Sequence, residues 1–199
     1  MNVIEFKDVN EMNKFFRNKI VREIGEGSEG KVYLSKDNDV IKYMYESMDP
    51  KKLDDYPNIL MEDDLKLDTF IFPKVLYVLK GFIVGYSERY FPGNIFTLGN
   101  PTRVNIDNLI KARDVMIEDA KEITKRGYNL FELPCNLCFD NKRLAAIDTL
   151  DYEKQEDITL ERNISTINYA ILSQMALINP KLDVFGSFEE ELRKVYKRN

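Results

Sequence analysis

Between Lys19 and Tyr45 apolar and polar positions alternate. Val32 and Leu34 are set off by Lys31, Tyr33 and Ser35, the period of two expected of a strand with one buried face. The whole span, KIVREIGEGSEGKVYLSKDNDVIKYMY, reads as strand, turn, strand, turn, strand, with an Asx-rich turn at KDND (36–39) and a last strand at VIKYM (40–44). Residues 3–17 read as an irregular or helical lead-in. Downstream, the apolar runs of FPKVLYVLKGFIVGYSERYFPG (72–93) break at Lys80-Gly81, which predicts a hairpin ending at Phe91-Pro92-Gly93.

Other segments carry a helical period. NILMEDDLKLDTF (58–70) follows Pro57 and has apolar residues at Ile59, Leu60, Leu65 and Leu67, predicting a short helix packed on a sheet. NIDNLIKARDVMIEDAKEITKRG (105–127) predicts a longer helix that starts near Asp107. Its apolar stripe runs through Leu109, Ile110, Val115, Met116 and Ile123, and Lys125 and Arg126 close it ahead of a Gly127 C-cap. ERNISTINYAILSQMALIN (161–179) predicts an apolar helix. SFEEELRKVYKRN (187–199) predicts an amphipathic one, acidic at its start and basic at its end as the helix dipole favours.

Composition narrows the function. A chain of 199 residues is long enough for one sizeable core, or for two small lobes sharing a cleft. Its 44% apolar and 32% charged content is that of a globular domain, with no repeat or low-complexity tract. No apolar run approaches the roughly 20 residues of a membrane span, and MNVIEFKDVNEMNKFF is too acidic for a secretory signal. A net charge of −5 argues against a nucleic-acid partner. Two cysteines make no disulfide scaffold and suit a reducing cytoplasm. The absence of histidine removes Ser-His-Asp and Cys-His catalysis and histidine metal sites together.

The stretch IGEGSEGKVYL (24–34) sets glycines at Gly25, Gly27 and Gly30, spaced so that backbone can wrap phosphates. Three phosphate-binding designs share such spacing. A dinucleotide-binding unit needs its glycines between a strand and a helix; here they lie between two strands. A P-loop needs Ser or Thr after G-x-x-x-x-G-K, and Val32 holds that position. The third pattern, G-x-G-x-x-G-x-V with a lysine on the following strand, is matched by Gly25, Gly27, Gly30, Val32 and Lys42. A glycine-rich hairpin with no ligand is the structural alternative.

On these residues the chain resembles the protein-kinase superfamily, and the likeness can be followed to about residue 175. The resemblance implies an α+β bilobal fold: a small antiparallel-sheet N-lobe with one helix (18–90) over a truncated helical C-lobe (91–199), in one kinase-like domain over 1–199. It implies ATP and Mg²⁺ as cofactors, with the glycine loop over the phosphates and Lys42 on the α- and β-phosphates. Glu62 is the expected carboxylate partner of Lys42, Glu46 the weaker alternative, and a solvated Glu62-Asp63-Asp64 face the plain one. Val40 would line the nucleotide site, backbone near Glu88 to Phe91, including Tyr90, would meet the adenine edge, and Cys138 would floor it.

The region of the family's catalytic loop reads GYNLFELPCNLCFDNKRLAAIDTLDY (127–152). Asn136 and Asp148 match the family's two metal-binding residues, one per arm of a hairpin, and their oxygen donors suit a hard cation. Counting back from Asn136 for the general base lands on Phe131, which accepts no proton. Counting forward from Gly127 lands on Glu132, which we assign to the base position in a loop one residue shorter than the family's. Leu130 and Phe131 stand where that pattern has His and Arg. Cys135 and Cys138 form a C-x-x-C with no second pair to complete a zinc site and no strand-to-helix context for a redox pair, so they read as structural. No A-P-E occurs after Asp148, and the usual peptide-docking helices are absent.

Two functions follow from the resemblance. One is an ATP- and Mg²⁺-dependent phosphotransferase acting on a protein Ser/Thr hydroxyl, with a protein substrate or partner completing the shortened lobe. The other is a pseudokinase that binds nucleotide or a partner protein without transfer. Either suits a cytoplasmic protein, or an exported effector acting in a host cytoplasm, with no nucleic-acid partner and no membrane insertion.

Overall fold

A computed structural model describes residues 2–48, 59–95, 104–130, 132–177 and 179–196. The chain divides into two compact units, Met1–Lys66 with Ile71–Tyr90 and Leu67–Phe70 with Phe91–Asn199. Both sheet and helix are present, so the fold class is α+β.

The first unit is built on a six-stranded sheet. Its strands are β1 (Asn2–Phe6), β2 (Ile20–Glu26), β3 (Gly30–Ser35), β4 (Asp39–Met48), β5 (Pro73–Leu79) and β6 (Phe82–Arg89), in the order β1-β5-β6-β4-β3-β2. The three strands expected between Lys19 and Tyr45 and the hairpin expected over 72–93 are all present. Tight turns separate them, with Asn38 and Lys80 in the left-handed region at φ 62° and 53°. Helix α1 (Val9–Lys19) begins at Asp8, whose side chain accepts the Glu11 amide at 2.9 Å. It buries Met12 and Phe16 against Phe6, Ile41, Tyr77 and Val84 on one sheet face, with Tyr33 and Tyr43 at the margin. Aromatic rings meet there, Phe16 edge-on to Tyr77 at 5.2 Å between centroids.

Two expectations for this unit need correction. The sheet is mixed rather than antiparallel, because β1 pairs with β5 in parallel register, Asn2 opposite Val75 through Phe6 opposite Leu79. The lead-in is therefore a strand followed by a helix. Nor do residues 59–70 form a helix; Asn58 lies outside the described residues. Leu60 is buried as expected, and so is Met61, while Ile59, Leu65 and Leu67 are half-buried and Glu62–Asp64 is a single turn. Its backbone is satisfied otherwise: the Asp64 carboxylate accepts the Met61 amide at 3.2 Å, and the Glu62 amide donates to the Pro73 carbonyl at 2.9 Å. Such local and cross-segment bonds compete with helix propagation. Among the described residues the unit's helix is α1.

The second unit contains α2 (Ile106–Lys125), β8 (Tyr128–Asn129), α3 (Leu133–Asn136), β9 (Leu137–Phe139), β10 (Leu144–Ala146), β11 (Glu153–Lys154), α4 (Leu160–Ala176) and α5 (Phe188–Tyr196), with β7 (Asn94–Ile95) before them. Strands β10-β9-β7 form one small antiparallel sheet and β11-β8 another. Helices α2 and α4 pack on each other, and α3 packs on α4. Helix α2 starts at the Asn105 cap and is followed by Gly127 at φ +82°. Its buried stripe is Leu109, Ala112, Met116, Ala120 and Ile123; Val115, expected in the stripe, is 50% exposed. No helix among the described residues is long and apolar enough to cross a membrane.

Candidate functional site

In the first unit the glycine pattern lies on the β2–β3 hairpin. Gly25 is opposite Val32 and Glu26 opposite Lys31, and the Gly27 amide donates to the Gly30 carbonyl at 2.9 Å to close the turn. The three glycines have different reasons to be there. A Cβ on Gly30 would stand 2.2 Å from the Tyr43 carbonyl oxygen, a backbone atom that cannot step aside. Gly30 is thus required by the sheet itself. A Cβ on Gly25 would make an ordinary 3.9 Å contact, and one on Gly27 would meet nothing within 4 Å. The hairpin alone does not account for those two.

Register then aligns the rest. Gly25, Val32, Lys42 and Tyr86 stand directly opposite one another across β2, β3, β4 and β6. The next row on that face holds Leu34, Val40, Glu88 and Pro73. Residues two apart on a strand share a face. Val32, Val40, Lys42, Tyr86 and Glu88 therefore share the sheet face opposite the α1 core, since Tyr33, Ile41 and Tyr43 occupy the other. The structure thus brings most of the expected nucleotide residues of this unit onto one surface. Tyr90 follows β6 and is half-buried.

The Lys42 side chain is only 11% exposed. Its Nζ lies 5.9 Å from the centre of the Tyr86 ring and 2.7 Å from Oε2 of Glu29. Glu29 comes from the glycine turn, where its own carbonyl accepts the Tyr45 amide at 2.8 Å. This pairing was not foreseen. The expected partner, Glu62, sits in the turn before β5, and Glu46 is exposed on β4; neither forms an ion pair among the described residues.

In the second unit the two candidate metal ligands come together at one end of the β9–β10 hairpin. Leu137 is opposite Ala146, and the Ile147 amide donates to the Asn136 carbonyl at 3.0 Å. Asn136 and Asp148 thus flank the last paired residues. Both are half-buried. Asp148 adopts φ 58°, ψ 49°, and Glu132, just ahead of α3, adopts φ 49°, ψ 18°. Neither lies in a hairpin turn, and a left-handed non-glycine residue costs about 1–3 kcal/mol, a strain that clusters at functional sites. The Glu132 side chain is exposed and caps no helix amide. Phe131 lies outside the described residues. Burial, and then the Asp148 carboxylate nearby, push the Tyr152 phenol well above its ordinary range.

Among the described residues no three His, Cys, Asp or Glu side chains cluster as a metal site. Asn136 and Asp148 nonetheless fit Mg²⁺. It binds through one or two carboxylates plus substrate phosphates and keeps several waters, so it needs no protein cage. Cys138 is buried on β9 opposite Ala145 and Cys135 is exposed on α3; no disulfide joins them.

Three polar side chains that sequence reading missed hold this region. Asn163, fully buried in α4, donates to the Tyr128 carbonyl at 3.0 Å and to Thr124 Oγ1 at 2.8 Å, and accepts the Leu130 amide at 3.2 Å. Gln174 donates to the Pro134 carbonyl at 2.7 Å. Asp119 of α2 accepts the Thr69 amide and hydroxyl at 2.9 and 2.7 Å, while the Thr69 carbonyl accepts the Ala146 amide at 2.8 Å. The one visible signal was a polar residue on the apolar face of a helix, as at Asn163 and Gln174. No family model matches this chain, and no curated protein matches it.

Proposed function

We propose that this chain is a phosphotransferase of the protein-kinase type, a bilobal enzyme using ATP and Mg²⁺ to phosphorylate a Ser or Thr hydroxyl on a protein. One observation carries the reading: a nearly buried lysine reaches back to the glycine turn and meets an anionic oxygen there at 2.7 Å. A phosphate oxygen can take the place of that carboxylate. Gly25 and Gly27, which the hairpin does not require, leave the backbone bare for close approach.

The roles follow from chemistry. Lys42 and the glycine turn hold the phosphates; Asn136 and Asp148 supply oxygen donors to the cation. The chemistry a bound Mg²⁺ supplies is neutralisation of charge on the phosphates. The acceptor oxygen bonds to the γ-phosphorus as the bond to the β,γ-bridging oxygen breaks. ADP leaves with that oxygen, and Glu132 takes the hydroxyl proton before passing it to water. Positioning and charge neutralisation contribute most of the rate in such transfer, so a glutamate on a shortened loop is a workable base.

The test is labelling of the protein itself, or of a generic basic protein, with radiolabelled ATP and Mg²⁺. Wild type labels, and Lys42→Ala, Asp148→Ala and Glu132→Gln lose most of it. Undiminished labelling in Glu132→Gln removes that residue as the base. No labelling by any form, with ATP still raising the melting temperature, identifies a pseudokinase instead.

A further inference from the structure

We infer that Glu29 is a ligand-discriminating latch: its carboxylate occupies Lys42 until a polyphosphate displaces it. This rests on the nucleotide reading above and adds a residue that the resemblance does not supply. The latch is built into the hairpin. Glu29 is held by its carbonyl, which accepts the Tyr45 amide at 2.8 Å, and by the Gly27–Gly30 closure beside it. Gly30 is fixed against the Tyr43 carbonyl by lack of room. The backbone is therefore anchored on both sides, while the Glu29 side chain remains 48% exposed and free to swing. Lys42 is the opposite: its side chain is 11% exposed and its ammonium lies beside Tyr86, so a phosphate under the glycine turn competes with the carboxylate for it.

The consequence is selective. A phosphate that takes the Glu29 carboxylate's place on Lys42 gives up the 2.7 Å pair, whereas a ligand that lacks phosphates leaves the pair intact and meets no such penalty. A triphosphate brings enough charge to displace one carboxylate. Adenosine does not contest the lysine at all. Removing the Glu29 charge should then tighten ATP and leave adenosine alone. Glu23 is the control, an acidic residue on the same hairpin whose partner is Lys31 at 3.3 Å rather than Lys42. Its neutralisation changes the local field by the same charge.

The experiment measures Kd for ATP and for adenosine by calorimetry on the full chain as wild type, Glu29→Gln and Glu23→Gln, with melting temperatures to verify folding. Glu29→Gln is expected to bind ATP about 3- to 5-fold more tightly, the upper part of the range of a partly exposed ion pair given up on binding. Adenosine affinity stays within about 2-fold in all three proteins, and Glu23→Gln matches wild type for ATP within the same margin. ATP binding by Glu29→Gln alone, with wild type silent, is the strongest form of support. If wild type binds ATP and Glu29→Gln binds it equally or more weakly, the latch is refuted and the nucleotide site stands. Equal tightening in Glu23→Gln also refutes it, because the effect is then one of general charge. If no form binds ATP, the nucleotide reading falls and the latch with it.

Discussion

Asn163 Nδ2 stands 3.0 Å from the carbonyl oxygen of Tyr128, at the start of the segment that leads to Glu132. The same side chain accepts the Leu130 amide, so one buried residue of α4 satisfies two backbone groups of the stretch between Gly127 and α3. Asn163→Ala would remove both bonds. Leaving a buried backbone group without its partner costs about 1–3 kcal/mol, and each kcal/mol lowers Tm by about 2–4 °C in a chain of this size. Thermal unfolding should register that fall. An unchanged Tm would mean that the segment holds itself.

Gly30 and Gly27 should separate in mutagenesis. Gly30→Ala pushes a methyl group onto the Tyr43 carbonyl and is expected to destabilise the protein by about 1–3 kcal/mol, in keeping with an overpacked site. Gly27→Ala meets open space and should leave Tm unchanged or slightly raised, as the unfolded chain loses freedom. Its effect is expected on ATP instead, with Kd rising several-fold in calorimetry. A Gly27→Ala protein that binds ATP as well as wild type would remove the phosphate-cradle role of that position.

The cation pair makes a separable prediction. Asn136→Ala and Asp148→Ala should raise the Mg²⁺ concentration for half-maximal labelling by at least about tenfold, since losing even an outer-shell partner commonly costs that much. ATP affinity measured without Mg²⁺ should hardly move. A metal titration of the labelling reaction checks this, and an unaltered Mg²⁺ midpoint would show that the cation is held elsewhere.

Alkaline pH should unfold the protein partly through Tyr152. Burial keeps its phenol neutral in the folded state and pushes its pKa upward, with Asp148 adding to the effect. The unfolded phenol ionises near 10. The stability this group contributes is therefore fully present below pH about 10 and is lost as pH rises beyond it, because only the unfolded state releases the proton. Tyr77, also buried and raised, adds to the same limb. Chemical denaturation between pH 8 and 11 should show a shallower loss of stability for Tyr152→Phe than for wild type. Equal slopes would assign the alkaline loss to other groups.

Much of the local structure was legible because its causes are local. Alternation at Val32 and Leu34 marked β3, Lys80-Gly81 marked the β5–β6 turn, and Gly127 marked the end of α2. Each of these depends on residues a few positions apart, where sterics, capping and backbone hydrogen bonding act directly. The placement of Asn136 and Asp148 at one end of a short hairpin was legible for a similar reason, whatever surrounds it.

The other features depend on pairings that the pattern of apolar and polar positions does not encode. Residues 59–70 carry a helical period, yet the Pro73 carbonyl and the Asp64 carboxylate take their amides and leave a single turn. The parallel pairing of β1 with β5 joins segments whose patterns say nothing of each other. Nothing beside Glu29 in the sequence marks it as the partner of Lys42, and the pairing of β3 with β4 brings the two within 2.7 Å. Periodicity reports which side of an element is apolar; it carries no address for the group that will face it. That address is set when the strands stack in register, and with it the charge that Lys42 meets.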